Sequence, residues 1–551
     1  MRALFNNLDS RRNLHWIAIL ILIAIIIQRG STFFVDYYDA DVLAAIVQTN
    51  EYLAGGIPGG DFLESKLPLY HFFFKVAYLI SGEYGWVIVS AIVCAIIALT
   101  SYFLYLIGKM LFDKRVGILT ALFYGVLTSS FNRHFMAANA EVFFSLPIVI
   151  SFYFLCCYEF KQKYKILSLI LSLFFVATAC SIKMHPFILF PFLIFYFVIQ
   201  KPFTERVVSK KYINLLLIAA LLVSAFFILD LLFFKTAIPR IRNVFDDFLL
   251  YATTREFSVG KFFLYFVHRV GTLTINHLVL WIPLFAFLIH TPRFIRNRDK
   301  KELIVLTFFL FNFIAVFSGG VRFYYHYFIQ PFSAICMIAA YQWIRWIDAN
   351  PNRERVKKTC VFLFMIPVCI YLIWNYYGAY VRNFNPSLFY NEPKIVKYFR
   401  LGFVSQTKDY LLPDEKYKDA IDWLNKHKKP GQKLFVWGNT PVLNYFTGLG
   451  QGSYSMWHEQ DAKSYIDNIS SSDSKDELKA KNYLNNLLNN IAAKKADFVV
   501  DATRANINEF DRERYGLENF PGLNQHINDS YDSKTSLGDM DVYYNEGPDP
   551  F

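Results

Sequence analysis

The stretch between the first two hydrophobic runs, residues 36–70, concentrates ionisable side chains that could do acid–base chemistry. A carboxylate held in position can act as a general base, and a nearby cation can stabilise negative charge that develops during a reaction. Charge beside a membrane is costly unless it faces water or a cavity. The stretch therefore predicts a site, with a solvated acidic loop as the alternative. Its carboxylates are Asp36, Asp39, Asp41, Glu51, Asp61 and Glu64, and its one cation is Lys66.

Three later segments carry side chains suited to the same chemistry. Glu141 begins an apolar run after Asn139, where a helix dipole tolerates negative charge and Asn139 is a capping residue; a simple helix-start carboxylate is the alternative. Lys183 lies in a short link between apolar runs and is either a phosphate contact or part of a turn. Arg322 could bind a phosphate through two hydrogen bonds, with His326 donating to the same group, or both could belong to an interfacial tyrosine belt.

The composition indicates an integral membrane protein. Of 551 residues, 55% are hydrophobic and only 18% are charged, a balance that a soluble domain does not reach. The net charge of +12 comes from short clusters between hydrophobic runs, which is typical of cytoplasmic loops and excludes nucleic acid as the expected partner. The seven cysteines lie in or beside apolar runs, so neither a disulfide framework nor a cysteine-ligated zinc site is expected.

About eleven apolar runs approach the roughly 20 residues that one membrane crossing requires. Alternate loops carry the Lys/Arg clusters and should be cytoplasmic. The outer side then contains the acidic stretch, Glu141, Lys183 and the segment 319–326. An odd number of spans places the C-terminus on that side too. The predicted spans are 14–35, 85–107, 116–131, 141–157, 166–181, 186–200, 212–234, 276–290, 303–318, 327–346 and 359–377.

Residues 378–551 have a different pattern, with more charge and no long apolar run. An amphipathic helix should follow Pro413 and Asp414, with its apolar face formed by Tyr417, Ala420, Ile421 and Leu424. Strands are predicted at Lys433–Trp437, Phe498–Asp501 and near Val542–Tyr544, with a long helix near 474–495. This pattern predicts a small α/β domain outside the cytoplasm.

The acidic stretch contains Asp41, followed by Pro58-x-x-Asp61-Phe62 and Lys66-x-Pro68-Leu69-Tyr70. This arrangement resembles the first outer loop of polyprenyl-phosphate-sugar-dependent glycosyltransferases of the GT-C fold. This superfamily includes the protein O-mannosyltransferases and the lipid A aminoarabinose transferase. Glu141 resembles its second acidic position, and Arg322 with His326 its late outer Arg/His-Tyr segment. The resemblance implies Asp41, or its competitor Asp39, as the catalytic carboxylate, supported by Glu141. The candidates for binding the donor phosphate are Lys66, Arg322, His326 and Lys183.

The fold implied is an all-α polytopic membrane domain of GT-C type over residues 1–377, followed by the α/β domain over 378–551. The function implied is transfer of a hexose or pentose from a polyprenyl-phosphate donor to a glycan, lipid or protein acceptor. The reaction would take place at the outer face of the inner, cytoplasmic membrane. Whether a divalent metal bridges Asp41 and Glu141 stays open. The alternatives are a transporter or flippase of lipid-linked sugars, whose charges usually lie mid-span, and an O-antigen-type ligase or polymerase.

The predicted topology can be tested with a reporter fused after Phe551. A reporter that is active only outside the cytoplasm should be active in this fusion, because the Lys/Arg bias and the odd span count place the C-terminus outside. Activity of a cytoplasm-specific reporter at the same position would contradict both the topology and an outward-facing site.

Overall fold

The structure, a computed structural model, describes residues 11–33, 40–56, 66–129, 133–161, 163–205, 259–319, 323–382 and 415–546, the last range with short gaps at 439, 454, 457, 459–461, 464, 467–468, 470–473 and 507–509. The described part of 1–382 is helical. The helices are α1 Arg11–Arg29, α2 Ala40–Leu53, α3 Pro68–Ser81, α4 Gly85–Leu111, α5 Lys114–Leu127, α6 Arg133–Met136, α7 Ala140–Phe160, α8 Lys165–Cys180, α9 Leu189–Phe195, α10 Lys201–Glu205, α11 Val259–Asn276, α12 Leu278–Ile289, α13 Thr291–Asn297, α14 Lys300–Ile314, α15 Ile329–Ala349 and α16 Arg353–Arg382.

Three helical stretches in the described residues are long and apolar enough to cross a membrane: Gly85–Leu111, Ala140–Phe160 and His185–Thr204. A fourth candidate is the pair Phe266–Asn276 and Leu278–Ile289, bent by 114°. The stretches His15–Arg29 and Lys165–Cys180 are apolar but shorter. Membrane-spanning character is therefore found, whereas the predicted number of eleven spans is not confirmed, and the predicted span 212–234 lies outside the described residues.

Helices α4 and α5 pack closely because both present glycine at their contact. A Cβ on Gly117 would lie 2.5 Å from the carbonyl oxygen of Tyr105, and one on Gly108 would lie 2.8 Å from the Cα of Gly117. Small residues allow such an approach of two apolar helices. The start of α5 is fixed by Asp113, whose side chain accepts a hydrogen bond from the Val116 N–H (2.9 Å), as N-cap carboxylates do.

Residues 415–546, which lie within the predicted terminal domain 378–551, contain helices around a five-stranded sheet in the order β2-β1-β3-β5-β4. Strand β1 pairs in parallel with β2 and β3, and β5 pairs antiparallel with β3 and β4. The strands are β1 Lys433–Trp437, β2 Gly450–Gln451, β3 Phe498–Asp501, β4 Ser533–Leu537 and β5 Met540–Tyr544, and the helices are α17 Glu415–His427, α18 Val442–Thr447, α19 Ser474–Lys494, α20 Arg512–Tyr515 and α21 Pro521–Ser530.

Alternating side chains of this sheet enter two separate cores, as the period of a β-strand requires. Leu434 and Val436 belong to the core that includes α17, while Phe435, Trp437 and Val499 belong to a second core that includes α19 and α21. The four residues predicted to form the apolar face of α17 are all buried: Tyr417, Ala420, Ile421 and Leu424.

Helix α7 carries one buried carboxylate near each end. Glu141 lies in its first turn and Glu159 near its last residue, about 27 Å apart at 1.5 Å per residue. Glu159 binds Lys201 (2.5 Å), Lys300 and the Tyr196 hydroxyl. Both lysines come from loops predicted to be cytoplasmic. The structure therefore places cations from two predicted cytoplasmic loops at the same end of α7.

Candidate active site

Asp41 and Lys66, the two residues singled out first in the sequence, form an ion pair. Asp41 lies in the first turn of α2, and Lys66 lies two residues before α3. The Lys66 Nζ is 3.4 Å from the Asp41 Oδ2, and the two side chains are 3% and 28% exposed. The lysine is thus covered by protein while the carboxylate keeps an open side. This is the arrangement that a base must have to reach a substrate proton.

Backbone hydrogen bonds join the segment that follows Lys66 to the loop that carries Lys183. The N–H of Leu67 donates to the Ile182 carbonyl (3.0 Å), and the N–H of Leu69 donates to the Ser181 carbonyl (3.2 Å). The Tyr70 hydroxyl donates to the Ala138 carbonyl (2.9 Å). Because Lys66 precedes Leu67 and Lys183 follows Ile182, the two lysines leave neighbouring points of the backbone.

Glu141 and Lys183 form a second carboxylate–lysine pair. The Lys183 Nζ lies 2.6 Å from the Glu141 Oε1, with side chains 7% and 1% exposed. The first turn of α7 adds a favourable dipole for the carboxylate. Asn139 occupies the N-cap position as predicted, but its side chain makes no capping hydrogen bond. The second oxygen of Glu141, Oε2, is buried and accepts no hydrogen bond from the described residues.

Aromatic and imidazole rings enclose this second pair. Lys183 Nζ lies 5.0 Å above the ring centroid of Tyr327, within the range of a cation–π contact. His326 and His185 pack on the same tyrosine, at centroid distances of 4.6 and 5.0 Å. Both histidines are buried and lie within electrostatic reach of Glu141. His326, predicted from the sequence, therefore belongs to the Glu141–Lys183 group.

Two further histidines of this region, His185 and His71, are not among the predicted site residues. His185 follows Lys183 by two residues, and its histidine–proline turn was the available signal. His71 follows Tyr70, is 1% exposed, and contacts the ring of Tyr70. Burial, with the nearby Lys66 charge, lowers the pKa of His71 to about 3. His71 is therefore neutral at physiological pH and contributes no charge for an anionic ligand.

Two predicted site residues, Asp39 and Arg322, lie outside the described residues. In the described part of the chain, no group of three or more His, Cys, Asp or Glu side chains is placed to hold a metal ion. Asp41 and Glu141 each bind a lysine instead. The geometry of the described residues therefore does not support a metal ion between these two carboxylates.

Comparison with known proteins supports the same class. Residues 65–229 match the model of the dolichyl-phosphate-mannose-protein mannosyltransferase family. This match includes Lys66, Glu141 and Lys183. No curated protein sequence matches the chain significantly.

Solved structures with the same fold cover nearly the whole chain. ArnT from Cupriavidus metallidurans bound to undecaprenyl phosphate has a TM-score of 0.55 at 12% identity, over 97% of this chain and 99% of that one. Its apo form has a TM-score of 0.54 with the same identity and coverage. The apo oligosaccharyltransferase of Archaeoglobus fulgidus has a TM-score of 0.51 at 12% identity, over 97% of this chain and 74% of that one.

The chain has the GT-C fold. The family match and the fold together confirm the predicted class, a membrane glycosyltransferase that uses a polyprenyl-phosphate-linked sugar. They favour this class over the transporter, ligase and polymerase alternatives. At 12% identity the solved structures show the fold alone.

The Glu141–Lys183 pair predicts a specific pattern of stability. Lys183→Met leaves a buried carboxylate uncompensated and should destabilise the protein by about 3–5 kcal/mol, whereas adding Glu141→Gln should recover much of the loss. The measurement is thermal unfolding of the purified protein in detergent. The matched control is Asp348→Asn, which breaks the largely exposed pair with Arg115 (2.8 Å) and should cost no more than about 1 kcal/mol. A Lys183→Met protein as stable as the wild type would contradict the pairing.

Proposed function

We propose that this protein transfers a sugar from a polyprenyl phosphate to an acceptor at the outer face of the cytoplasmic membrane, with Asp41 as the base. The observation that carries the proposal is the convergence of two carboxylate–lysine pairs on segments joined by backbone hydrogen bonds. The proposal keeps the predicted division into a membrane domain over 1–377, with about eleven spans, and an extracytoplasmic domain over 378–551.

The two lysines suit a phosphate that carries the sugar. Lys66 and Lys183 are buried, yet each is compensated by one carboxylate. In the transition state, negative charge grows on the phosphate oxygen as its bond to the anomeric carbon breaks. Cations fixed at that point stabilise the developing charge. Arg322 and His326 are proposed to complete the phosphate contacts, His326 from its place beside Tyr327.

The chemical step is a displacement at the anomeric carbon. The acceptor oxygen forms a bond to this carbon, and the bond to the phosphate oxygen breaks, with its electron pair leaving on the polyprenyl phosphate. The acceptor proton goes to the Asp41 carboxylate, which is the more exposed member of its ion pair. When the donor phosphate binds Lys66, it releases Asp41 from its ion pair, and Asp41 can then act as the base. Glu141 keeps Lys183 in place. Asp39 remains the competing base.

Lys66 should contribute to donor affinity. Lys66→Ala removes a charge-assisted contact, typically about 1.5–3 kcal/mol, so affinity for undecaprenyl phosphate should fall roughly tenfold or more. Binding to the purified protein in nanodiscs measures this. Lys163→Ala, which removes an exposed lysine, is the matched control and should bind as the wild type does, while Arg322→Ala should lose affinity as Lys66→Ala does. Unchanged affinity in Lys66→Ala would assign this lysine a purely structural role.

Asp41→Asn should abolish most transfer without loss of donor binding. The amide keeps the size of the side chain and removes the base, which is usually worth a factor of roughly 10²–10⁴. Transfer is measured as release of polyprenyl phosphate from a panel of polyprenyl-phosphate-linked hexoses and pentoses in membranes that contain acceptor.

Asp39→Asn is the paired variant and should have the smaller effect. If it abolishes transfer while Asp41→Asn does not, the base is Asp39 and the mechanism stands. If neither change slows release in correctly inserted protein, the assignment of a general base to this loop is wrong.

A further inference from the structure

Helix α2, which carries Asp41, is enclosed from two sides. Residues 42–49 are all buried, although a helix in a loop between membrane spans would normally leave one face in water. Val42, Leu43 and Ile46 belong to a core that residues 11–382 share with α17, β1 and α18 of the terminal domain. Helix α2 contacts α3 of the membrane domain and also α18 and β2 of the terminal domain. Ala44 and Val47 pack with Met456 of the terminal domain. The helix is therefore held between the two domains.

Glu51, near the other end of α2, binds the edge of the terminal sheet. Its Oε1 accepts a hydrogen bond from the Gln451 N–H at 2.9 Å across 400 positions of sequence. Strand β2 is the edge strand next to β1. The N–H groups of Gly450 and Gly452 donate to Gln432 and Leu434 beside and within β1, at 3.0 Å each. The intervening N–H of Gln451 therefore points away from the sheet, where an edge strand would otherwise present it unpaired.

The glycine at position 450 fits the same contact. A Cβ added to Gly450 would lie 3.2 Å from the Glu51 Oε1 and 3.3 Å from the Cγ of Lys433. The carboxylate thus sits against the backbone of β2. At the same end of α2, the Lys75 Nζ from α3 lies 3.6 Å above the ring of Tyr52, which ties this end of the helix to the membrane domain as well.

We propose that Glu51 is a positioning residue: by accepting the outward N–H of β2, it fixes α2 between the two domains and holds Asp41 against Lys66. The inference rests on the proposed role of Asp41. Ten residues of helix, about 15 Å, separate the two carboxylates, so Glu51 acts on the reacting group only through the helix. The terminal domain then serves transfer by orienting the base, without supplying a reacting side chain.

The role requires a hydrogen-bond acceptor at position 51, not a charge. Glu51→Gln keeps an oxygen that can accept from Gln451, whereas Glu51→Ala removes it. Asp529→Ala, at an exposed position of α21, is the control for loss of a carboxylate elsewhere in the terminal domain. The full-length protein in nanodiscs is used, with hydrogen exchange of residues 40–53 and 450–452 and release of polyprenyl phosphate as the two readouts.

Glu51→Ala should increase amide exchange in both segments while Gly85–Leu111 stays protected. Transfer at saturating donor should fall roughly ten- to a hundredfold, as misplacement of a reacting group does, with the KM for donor changed by less than about twofold. Glu51→Gln should restore both readouts, and Asp529→Ala should match the wild type. If Glu51→Ala does not insert, Gly450→Ala, which displaces the carboxylate from β2, should give the same pattern to a smaller degree.

The proposal is overturned if exchange in 40–53 is unchanged in Glu51→Ala, or if exchange rises and transfer stays normal in a protein that Asp41→Asn inactivates. It is also overturned if Glu51→Gln is as impaired as Glu51→Ala, because charge would then be the requirement. A third outcome is that exchange rises in Glu51→Ala, transfer stays normal, and Asp41→Asn is as active as the wild type. In that case the proposed role of Asp41 is wrong, and the docking of α2 by Glu51 still holds.

Discussion

Buried charge must be compensated, and this requirement decides where the chain places its ionisable groups. An isolated ion away from water costs several kcal/mol even after the protein relaxes. Glu141 and Glu159 therefore each bind lysine at opposite ends of α7. The group around Glu159 ties α7 to α10 and α14. The group around Glu141 gathers the loop of Lys183 and the ring of Tyr327. Pairing at one end fixes the bundle, and pairing at the other forms the candidate site.

In the proposed mechanism, the same compensation allows an anionic donor to bind without leaving a permanently uncompensated cation. Before donor binds, Lys66 and Lys183 have Asp41 and Glu141 as partners. A phosphate that arrives can share or replace these carboxylates, so the positive charges need not be buried alone at any stage. Glu141 is nearly inaccessible and keeps its lysine, whereas the partly exposed Asp41 can exchange a lysine for a substrate proton. The different exposure of the two pairs is the basis for the different roles proposed for them.

The sequence predicted the structure best in those helices and strands whose buried residues recur at a regular spacing. The apolar face of α17 and the strands β1 and β3 were predicted because alternate or helically spaced residues enter a core. Strand β2 was missed because two residues, Gly450 and Gln451, carry no pattern, and β4 was missed because Ser533–Leu537 lies half-exposed at the edge. The sequence indicated four site residues one by one: Asp41, Lys66, Glu141 and Lys183. It did not indicate how they pair, because partners such as Glu141 and Lys183 are far apart in the sequence and no local pattern specifies such a contact.

Helix α2 illustrates why a site residue recognised in the sequence can still depend on a distant domain. Its 14 residues are about the length at which an isolated helix is marginal in water, so its stability must come from packing. Val42, Leu43 and Ile46 lie in a core shared by both domains. Ala44 and Val47 pack with Met456 of the terminal domain, and Glu51 accepts a hydrogen bond from the Gln451 N–H of that domain. A truncation after Arg382 would remove these contacts and loosen the helix that presents Asp41. A terminal domain without a reacting side chain can therefore still be necessary for transfer, while the lysines proposed to hold the phosphate remain in the membrane domain.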